Sequence, residues 1–219
     1  GLGLGLGSGL GLGLGLGLPT IISSSSYVRE RTTLPIYIIM LRKIKLNYDW
    51  NYFLPPMQDY SVHKGTCLAH QLDELTDIHE EYGLGDTYTK DNTVIQQLWY
   101  EDGQVDFKEL GKQTGMEVVT ISTILQPPGN TIALHRDIFY QINKRHPEDK
   151  RLKVRANVYL EDWKVGHMLQ YKSEEDNIWK TSDNWKAGDC YMWDSKPLHL
   201  SANAGMKDKF TLQISGFLI

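Results

Sequence analysis

The sequence predicts a mainly β fold with helical cover, a β-sandwich or jelly-roll barrel, and three observations carry it. From Val118 onward, short stretches rich in β-branched and aromatic residues follow one another, separated by turn-forming Gly, Pro, Asn and Asp. One of them, Lys153 to Leu160, alternates strictly between apolar and polar side chains, the period of a strand with two unlike faces. Helical spacing of apolar residues is confined to the region before that series. Strands that follow helical cover, in a chain of 219 residues, make one domain of packed layers.

In chain order, Gly1 to Leu18 alternates glycine with leucine, broken at Ser8, and leads through Pro19 into Ser23 to Ser26. Glycine at every second position makes ordering costly and leaves one face with nothing to pack, so no core is encoded there. Gly1 to Ile22 is uncharged and long enough to span a bilayer, yet it is rich in glycine and lacks the positively charged start of a signal peptide. Residues 1–39 are therefore expected to be a low-complexity leader, disordered or not native. A Gly-Leu repeat is what a short repeated DNA unit gives on translation, and Met40, followed by Leu-Arg-Lys-Ile-Lys, reads as a native start.

The expected domain covers residues 40–219. Ile44 to Trp50 reads as a strand. Leu68, Leu72, Leu75 and Ile78 share a helical face, giving a helix over Leu68 to Tyr82 closed by Gly83, Gly85 and Asp86. A shorter helix covers Val105 to Thr114 before Gly115. The jelly-roll series occupies about residues 118–219: Val118 to Leu125, Thr131 to Leu134, Lys153 to Leu160, His167 to Lys172, Cys190 to Trp193, Leu198 to Ser201 and Phe210 to Leu218. Pro127-Pro128-Gly129-Asn130, Gly188-Asp189 and Asn203-Ala204-Gly205 are its turns. The charged run Arg145 to Arg151 reads as a solvated loop.

Composition narrows the function classes. A net charge of -4 and a pI near 6.0 give no basic excess for gripping a phosphate backbone, so nucleic acid is not favoured. Cys67 and Cys190 stand far apart without a CxxC pattern, which excludes a disulfide framework and fits a reducing cytoplasm. Six Trp and 12 Tyr are mostly packing residues of an aromatic-rich interior or cleft.

The chemistry is concentrated in the C-terminal half. His135 and Asp137 sit two apart, so on an extended segment both leave the same face and can hold one metal. His199, behind Pro197 at a strand start, can supply a third ligand from a distant strand. Two imidazoles and a carboxylate on one side of a metal leave the other side open, which suits ferrous iron that must also bind dioxygen and an organic cosubstrate. Lys209 and Thr211 share one face of the last strand, while Phe210, Leu212 and Ile214 point the other way; an ammonium and a hydroxyl together can hold a carboxylate. Arg155, on the polar face of its strand, is a competing anchor. By strand parity Tyr140, Asn157, Tyr159 and Trp193 are candidates to line the pocket. His-x-Asp alone is commonplace; its company of a Pro-Gly turn, a distant strand His, Asn-x-Gly and Lys-x-Thr is not. His70 and His79 lack a ligand spacing, His63 and His146 have no nameable partner, and His167 is expected at the surface.

Taken together, Pro128-Gly129 leading to His135-Arg136-Asp137, the strand from Arg155 to Leu160, Trp185-x-x-Gly188-Asp189, His199 with Asn203-x-Gly205, and Lys209-x-Thr211-Leu212 resemble the Fe(II)- and 2-oxoglutarate-dependent oxygenases of the double-stranded β-helix (cupin-like) fold. The compact length is similar to versions carried by bacteriophages and, more distantly, to the aspartyl/asparaginyl β-hydroxylase branch, so the host cytoplasm is implied if the chain is virus-encoded. The resemblance implies iron held by His135, Asp137 and His199, and 2-oxoglutarate whose far carboxylate is held by Lys209 and Thr211 or by Arg155. Dioxygen would be the third reactant, with 2-oxoglutarate converted to succinate and carbon dioxide as a substrate C–H bond is hydroxylated. An arginine is more usual at the Lys209 position, so bidentate recognition is lost here. The substrate is not legible; a peptide or protein residue is favoured over a small metabolite or nucleobase by analogy. Two other readings stand beside this one, a cupin-like metalloenzyme that does not use 2-oxoglutarate and a non-enzymatic jelly-roll module.

Overall fold

Alternating side chains become paired strands in the computed structural model, which describes residues 41–54, 60–64, 72–84 and 87–219. The leader, the start at Met40, Cys67, His70 and the first residues of the helix expected from Leu68 lie outside them. The strands are β1 (Arg42–Lys45), β2 (Ser61–Lys64), β3 (Val94–Tyr100), β4 (Met116–Gln126), β5 (Thr131–His135), β6 (Lys153–Tyr159), β7 (His167–Lys172), β8 (Trp179–Ser182), β9 (Asp189–Trp193), β10 (His199–Asn203) and β11 (Lys209–Leu218). The helices are α1 (Leu72–Glu81), α2 (Phe107–Thr114) and α3 (Tyr140–Arg145).

One sheet runs β1-β9-β6-β11-β4-β3-β2 and the other β5-β10-β7-β8. The pairings are nested: β4 with β11, β5 with β10, β6 with β9 and β7 with β8, all antiparallel. A long hairpin of eight strands, rolled so that its four successive pairs fall alternately in two sheets, is a jelly roll, the double-stranded β-helix. β1, β2 and β3 extend the larger sheet at its two ends.

The two faces of β6 explain the layers. Val154, Ala156 and Val158 are wholly buried on the side that packs with Leu212, Ile214, Cys190 and Met192 beneath Leu46, Phe53 and Leu110 of the N-terminal cover. Each such valine or leucine contributes about 1.5–3 kcal/mol by leaving water. The other face is also covered: Tyr159 joins Leu169, Trp185, Tyr191 and Trp193 in a second cluster. The polar face of β6 thus looks into the roll.

Several expectations shift. The strand read over Ile44 to Trp50 is β1, ending at Lys45; Asp49 accepts from the Asn51 N–H and starts a 3-10 turn at Trp50–Phe53, because short Asn and Asp side chains compete for the backbone. The helix read from Val105 begins at Phe107, where Asp106 accepts from the Glu109 N–H, and it stops at left-handed Gly115. β2, β3 and β8 lay outside the reading: paired glutamines interrupt the apolar pattern of β3, and β8 is only four residues long. His167, expected at the surface, is buried with its Nε2 against the Lys207 carbonyl.

Asn203-x-Gly205 has a structural task. Asn203 Nδ2 donates to the Gln126 and Lys207 carbonyls, both at 2.8 Å, and Oδ1 accepts from the Gly205 N–H. This ties the end of β4 to the turn that leads into β11. The turn lies against Gly166, whose φ of 90° and lack of Cβ admit it; a Cβ there would sit 2.2 Å from the Gly205 nitrogen.

Candidate metal centre

β5 ends at His135 and β10 begins at His199, and the two are partners across the ladder. Direct cross-strand pairing sets their rings 4.3 Å apart between centroids. Asp137 follows two residues past the end of β5. Its Oδ1 is 3.8 Å from His135 Nε2, and its Oδ2 is 3.9 Å from His199 Nε2. All three residues are buried. Among the described residues they are the group of three whose ligand atoms lie within 4.8 Å of one another.

The outer nitrogens fix which atoms face inward. His135 Nδ1 is 2.6 Å from the Ala133 carbonyl and His199 Nδ1 is 3.0 Å from the Pro197 carbonyl. A carbonyl can only accept, so both Nδ1 atoms carry the proton and both Nε2 lone pairs point at the common focus. Burial lowers the pKa of His135, and that of His199 to about 3, which keeps both imidazoles neutral. Burial alone would raise Asp137; the Arg155 guanidinium, the imidazoles and the Trp193 N–H outweigh it and hold the carboxyl below its usual range. Two neutral nitrogens and one carboxylate oxygen are a donor set for a divalent transition metal, ferrous iron among them.

Asp137 is held from behind. Arg155 Nη1 lies 2.7 Å from Oδ1, and Trp193 Nε1 donates to Oδ2 at 2.6 Å. Arg155 and Trp193 are register partners on β6 and β9, so one rung of the large sheet carries both. Arg155 is further steadied by donating from Nε to Ser215 Oγ. The residue read as a rival to Lys209 therefore stands against the carboxylate of the metal group. Along β11 it faces Ser215, at the opposite end of the strand from Lys209, because the β6–β11 register separates them.

Lys209 is buried at the other side of the group. Its Nζ donates to Ser201 Oγ at 2.6 Å and to the Met168 carbonyl, and lies 5.4 Å over the Trp185 ring. Ser201 in turn donates to Gln126 Oε1. No carboxylate among the described residues pairs with Lys209, and burial pushes its pKa down to about 7. Ser201 is two positions beyond His199 on β10, a step of about 6–7 Å, the reach of a short dicarboxylate. Thr211 is buried on the same strand, opposite Tyr159. Tyr159 stacks on Trp185 at 3.7 Å, and its hydroxyl is buried without a hydrogen-bond partner among the described residues, Ser182 standing near it outside bonding geometry. Buried Asn157 lies between Arg155 and Tyr159 on this face, whereas Tyr140 is half-exposed on α3. Trp193, expected at the pocket by strand parity, supports Asp137 there, whereas the bonds made by Ser201 and Gln126 were outside the sequence reading, because parity marks faces but not partners.

No family description matches the sequence, and none of the curated proteins matches it. Among solved structures, the chain is similar to a prolyl-4-hydroxylase from Pseudomonas putida at 19% identity, with a TM-score of 0.49 over 82% of this chain and 92% of that one. It is similar to a viral collagen prolyl hydroxylase from Paramecium bursaria Chlorella virus-1, in complex with 2OG, at 16% identity and a TM-score of 0.41, covering 72% and 96%. It is similar also to a non-heme alpha-ketoglutarate-dependent epimerase from nogalamycin biosynthesis at 11% identity and a TM-score of 0.44, covering 71% and 76%. By its own nested strand order, the chain is a double-stranded β-helix protein with a His-Asp-His group between its sheets.

Proposed function

We propose that the chain is a non-heme iron oxygenase that consumes 2-oxoglutarate and dioxygen and hydroxylates a C–H bond of an organic substrate. The observation that carries this is the pairing of two features within one roll: a focus of two Nε2 lone pairs and one carboxylate, and a buried lysine, bonded to Ser201 two positions from His199, with no acidic partner among the described residues. A metal group alone would suit any cupin-like enzyme. A buried, unpaired ammonium beside it asks for an anionic partner.

When bound, iron with 2-oxoglutarate supplies the oxidising chemistry, with succinate and carbon dioxide as co-products. The chain's own residues do the rest. Ala133 and Pro197 carbonyls keep the imidazoles in one tautomer, and Arg155 with Trp193 keeps Asp137 ionised and oriented. Lys209, with Thr211 and the Tyr159 hydroxyl beside it, would take the far carboxylate of 2-oxoglutarate by a charge-assisted bond. Trp185, Tyr191 and Leu169 keep water from that end. A peptide or protein residue is the substrate favoured from sequence. Free, buried Cys190 supports a reducing cytoplasm, and no helix among the described residues is long and apolar enough to cross a membrane.

The test is anaerobic addition of Fe(II) and 2-oxoglutarate to the folded chain. A visible metal-to-ligand charge-transfer band, lost in Asp137→Ala, and slow succinate release in air are expected. Absence of both sinks the proposal.

A further inference from the structure

A cavity of about 260 Å³ opens on the inner face of the large sheet, beside the metal group. Arg155, Gln97, Gln213, Ser122, Trp99 and Phe139 are among its walls. The register puts them together: Arg155 and Ser215 are partners on β6 and β11, Gln213 pairs with Ser122 on β4, and Ser122 with Trp99 on β3, so all project to one side. None of the residues that line this cavity is an Asp or a Glu.

Arg155 forms the boundary between cavity and metal group. Its Nη1 is on Asp137 and its Nε on Ser215, and Nη2 has no partner among the described residues. Arg155 lines a small polar chamber without an acid, and its unassigned Nη2 can donate a charge-assisted bond to a carboxylate there. The surrounding groups add neutral hydrogen-bond capacity: Gln97 Nε2 is spent on Ser122 Oγ, leaving its carbonyl oxygen as an acceptor, and Gln213 offers both.

Charge bookkeeping over the loaded site points the same way, and here the inference rests on the oxygenase reading. The dianion of 2-oxoglutarate is matched by Fe(II) and Asp137 by Arg155, so that with Lys209 protonated, across the group from this chamber, the charges of the loaded site sum to one positive. A neighbouring hollow is basic as well. A wider hollow of about 720 Å³ on the other side of Asp137 is lined by Arg136, Lys150 and Lys153, none of which pairs with an acid among the described residues, against Asp77. In a chain of net charge -4 this is a local reversal that would draw an anion to the centre.

We infer that the substrate carries a carboxylate, taken by Nη2 of Arg155 in the chamber walled by Gln97, Gln213 and Trp99. The carboxylate can belong to a small free acid or to an acidic side chain of a peptide; the chemistry is shared, and the test separates the sources.

The full chain is loaded with Zn(II) and 2-oxoglutarate, which do not turn over, and probed by saturation-transfer NMR. One arm uses N-acetyl derivatives of the apolar amino acids against their carboxamides; the other uses capped tripeptides with a central Asp against the same peptides with Asn. At least one arm is expected to favour the acid by about tenfold or more, the weight of a buried charge-assisted bond. Gln213→Glu, which places a carboxylate diagonally across from Arg155, should abolish that preference, and Ser122→Asp should do the same from the neighbouring strand. Preference in the first arm assigns a small acid, preference in the second an acidic peptide side chain. The Fe(II)–2-oxoglutarate band, recorded on the same proteins, reports folding and loading. A missing band in the parent chain sinks the oxygenase reading. A normal band with equal or no transfer to acid and amide in both arms, or a preference that survives both substitutions, overturns the carboxylate inference alone.

Discussion

Replacing Lys209 by methionine should make the protein more stable and a worse enzyme. The lysine is buried and lacks an acidic partner among the described residues, and burial pushes its pKa from 10.5 to about 7. That depression corresponds to on the order of 4 kcal/mol against the charged form. Its sign in pH follows directly. The unfolded chain takes up the proton below about pH 10.5 and the folded chain only near pH 7, so stability falls as pH is lowered through that window and levels off below it. Lys209→Met keeps the length and removes the charge, but it strips the Met168 carbonyl of a donor, which costs about 1–3 kcal/mol. The net expectation at pH 7 is a gain on the order of 1–3 kcal/mol, shrinking toward zero or below at pH 10. Urea unfolding at both pH values measures it. The same variant should need about 30-fold more 2-oxoglutarate or worse, the loss expected when one member of a buried charge pair is truncated. A variant less stable at pH 7, with an unchanged pH slope and an unchanged cosubstrate requirement, would make Lys209 a structural group and refute the reasoning.

Three more outcomes are expected. If charged Lys209 holds 2-oxoglutarate as proposed, apparent affinity should weaken above pH 7, by up to about tenfold per pH unit, and Lys209→Arg should flatten that profile in a calorimetric titration. Trp193→Phe deletes the donor to Asp137 Oδ2 and should lower metal affinity by about 10–100-fold in competition with a chromophoric chelator; an unchanged affinity would show the bond to be idle. Asn203→Ala removes the bonds to Gln126, Lys207 and Gly205 and should cost about 2–4 kcal/mol in thermal or chemical unfolding, with less than 1 kcal/mol speaking against its role as a tie.

What could be read ahead of the structure was whatever depends on short spacing. Lys153 to Leu160 announces β6 because alternate burial leaves a period-2 trace, and His135-x-Asp137 announces a chelate because the two residues are only two positions apart. The partnership of His135 with His199 was legible only as a need for a distant strand; their adjacency depends on the β5–β10 register. Arg155 shows why the rest was hidden. Its parity marks it as facing the roll, but whether it meets a cosubstrate or Asp137 depends on Trp193 and Ser215, its partners on strands remote in sequence. β3 was illegible for a related reason: Gln96 and Gln97 break the apolar pattern, and Gln97 lines a cavity. His167 was misjudged because a histidine's burial depends on finding an acceptor, here the Lys207 carbonyl, which sequence does not show.

The most direct measurement is calorimetric titration of 2-oxoglutarate, without oxygen, into the chain with and without Fe(II). Binding of one equivalent that requires the metal and vanishes in Asp137→Ala is the expected result. Binding that ignores both the metal and Asp137, or none at all in folded, iron-supplied protein, would contradict a centre in which His135, Asp137 and His199 hold iron within reach of Lys209.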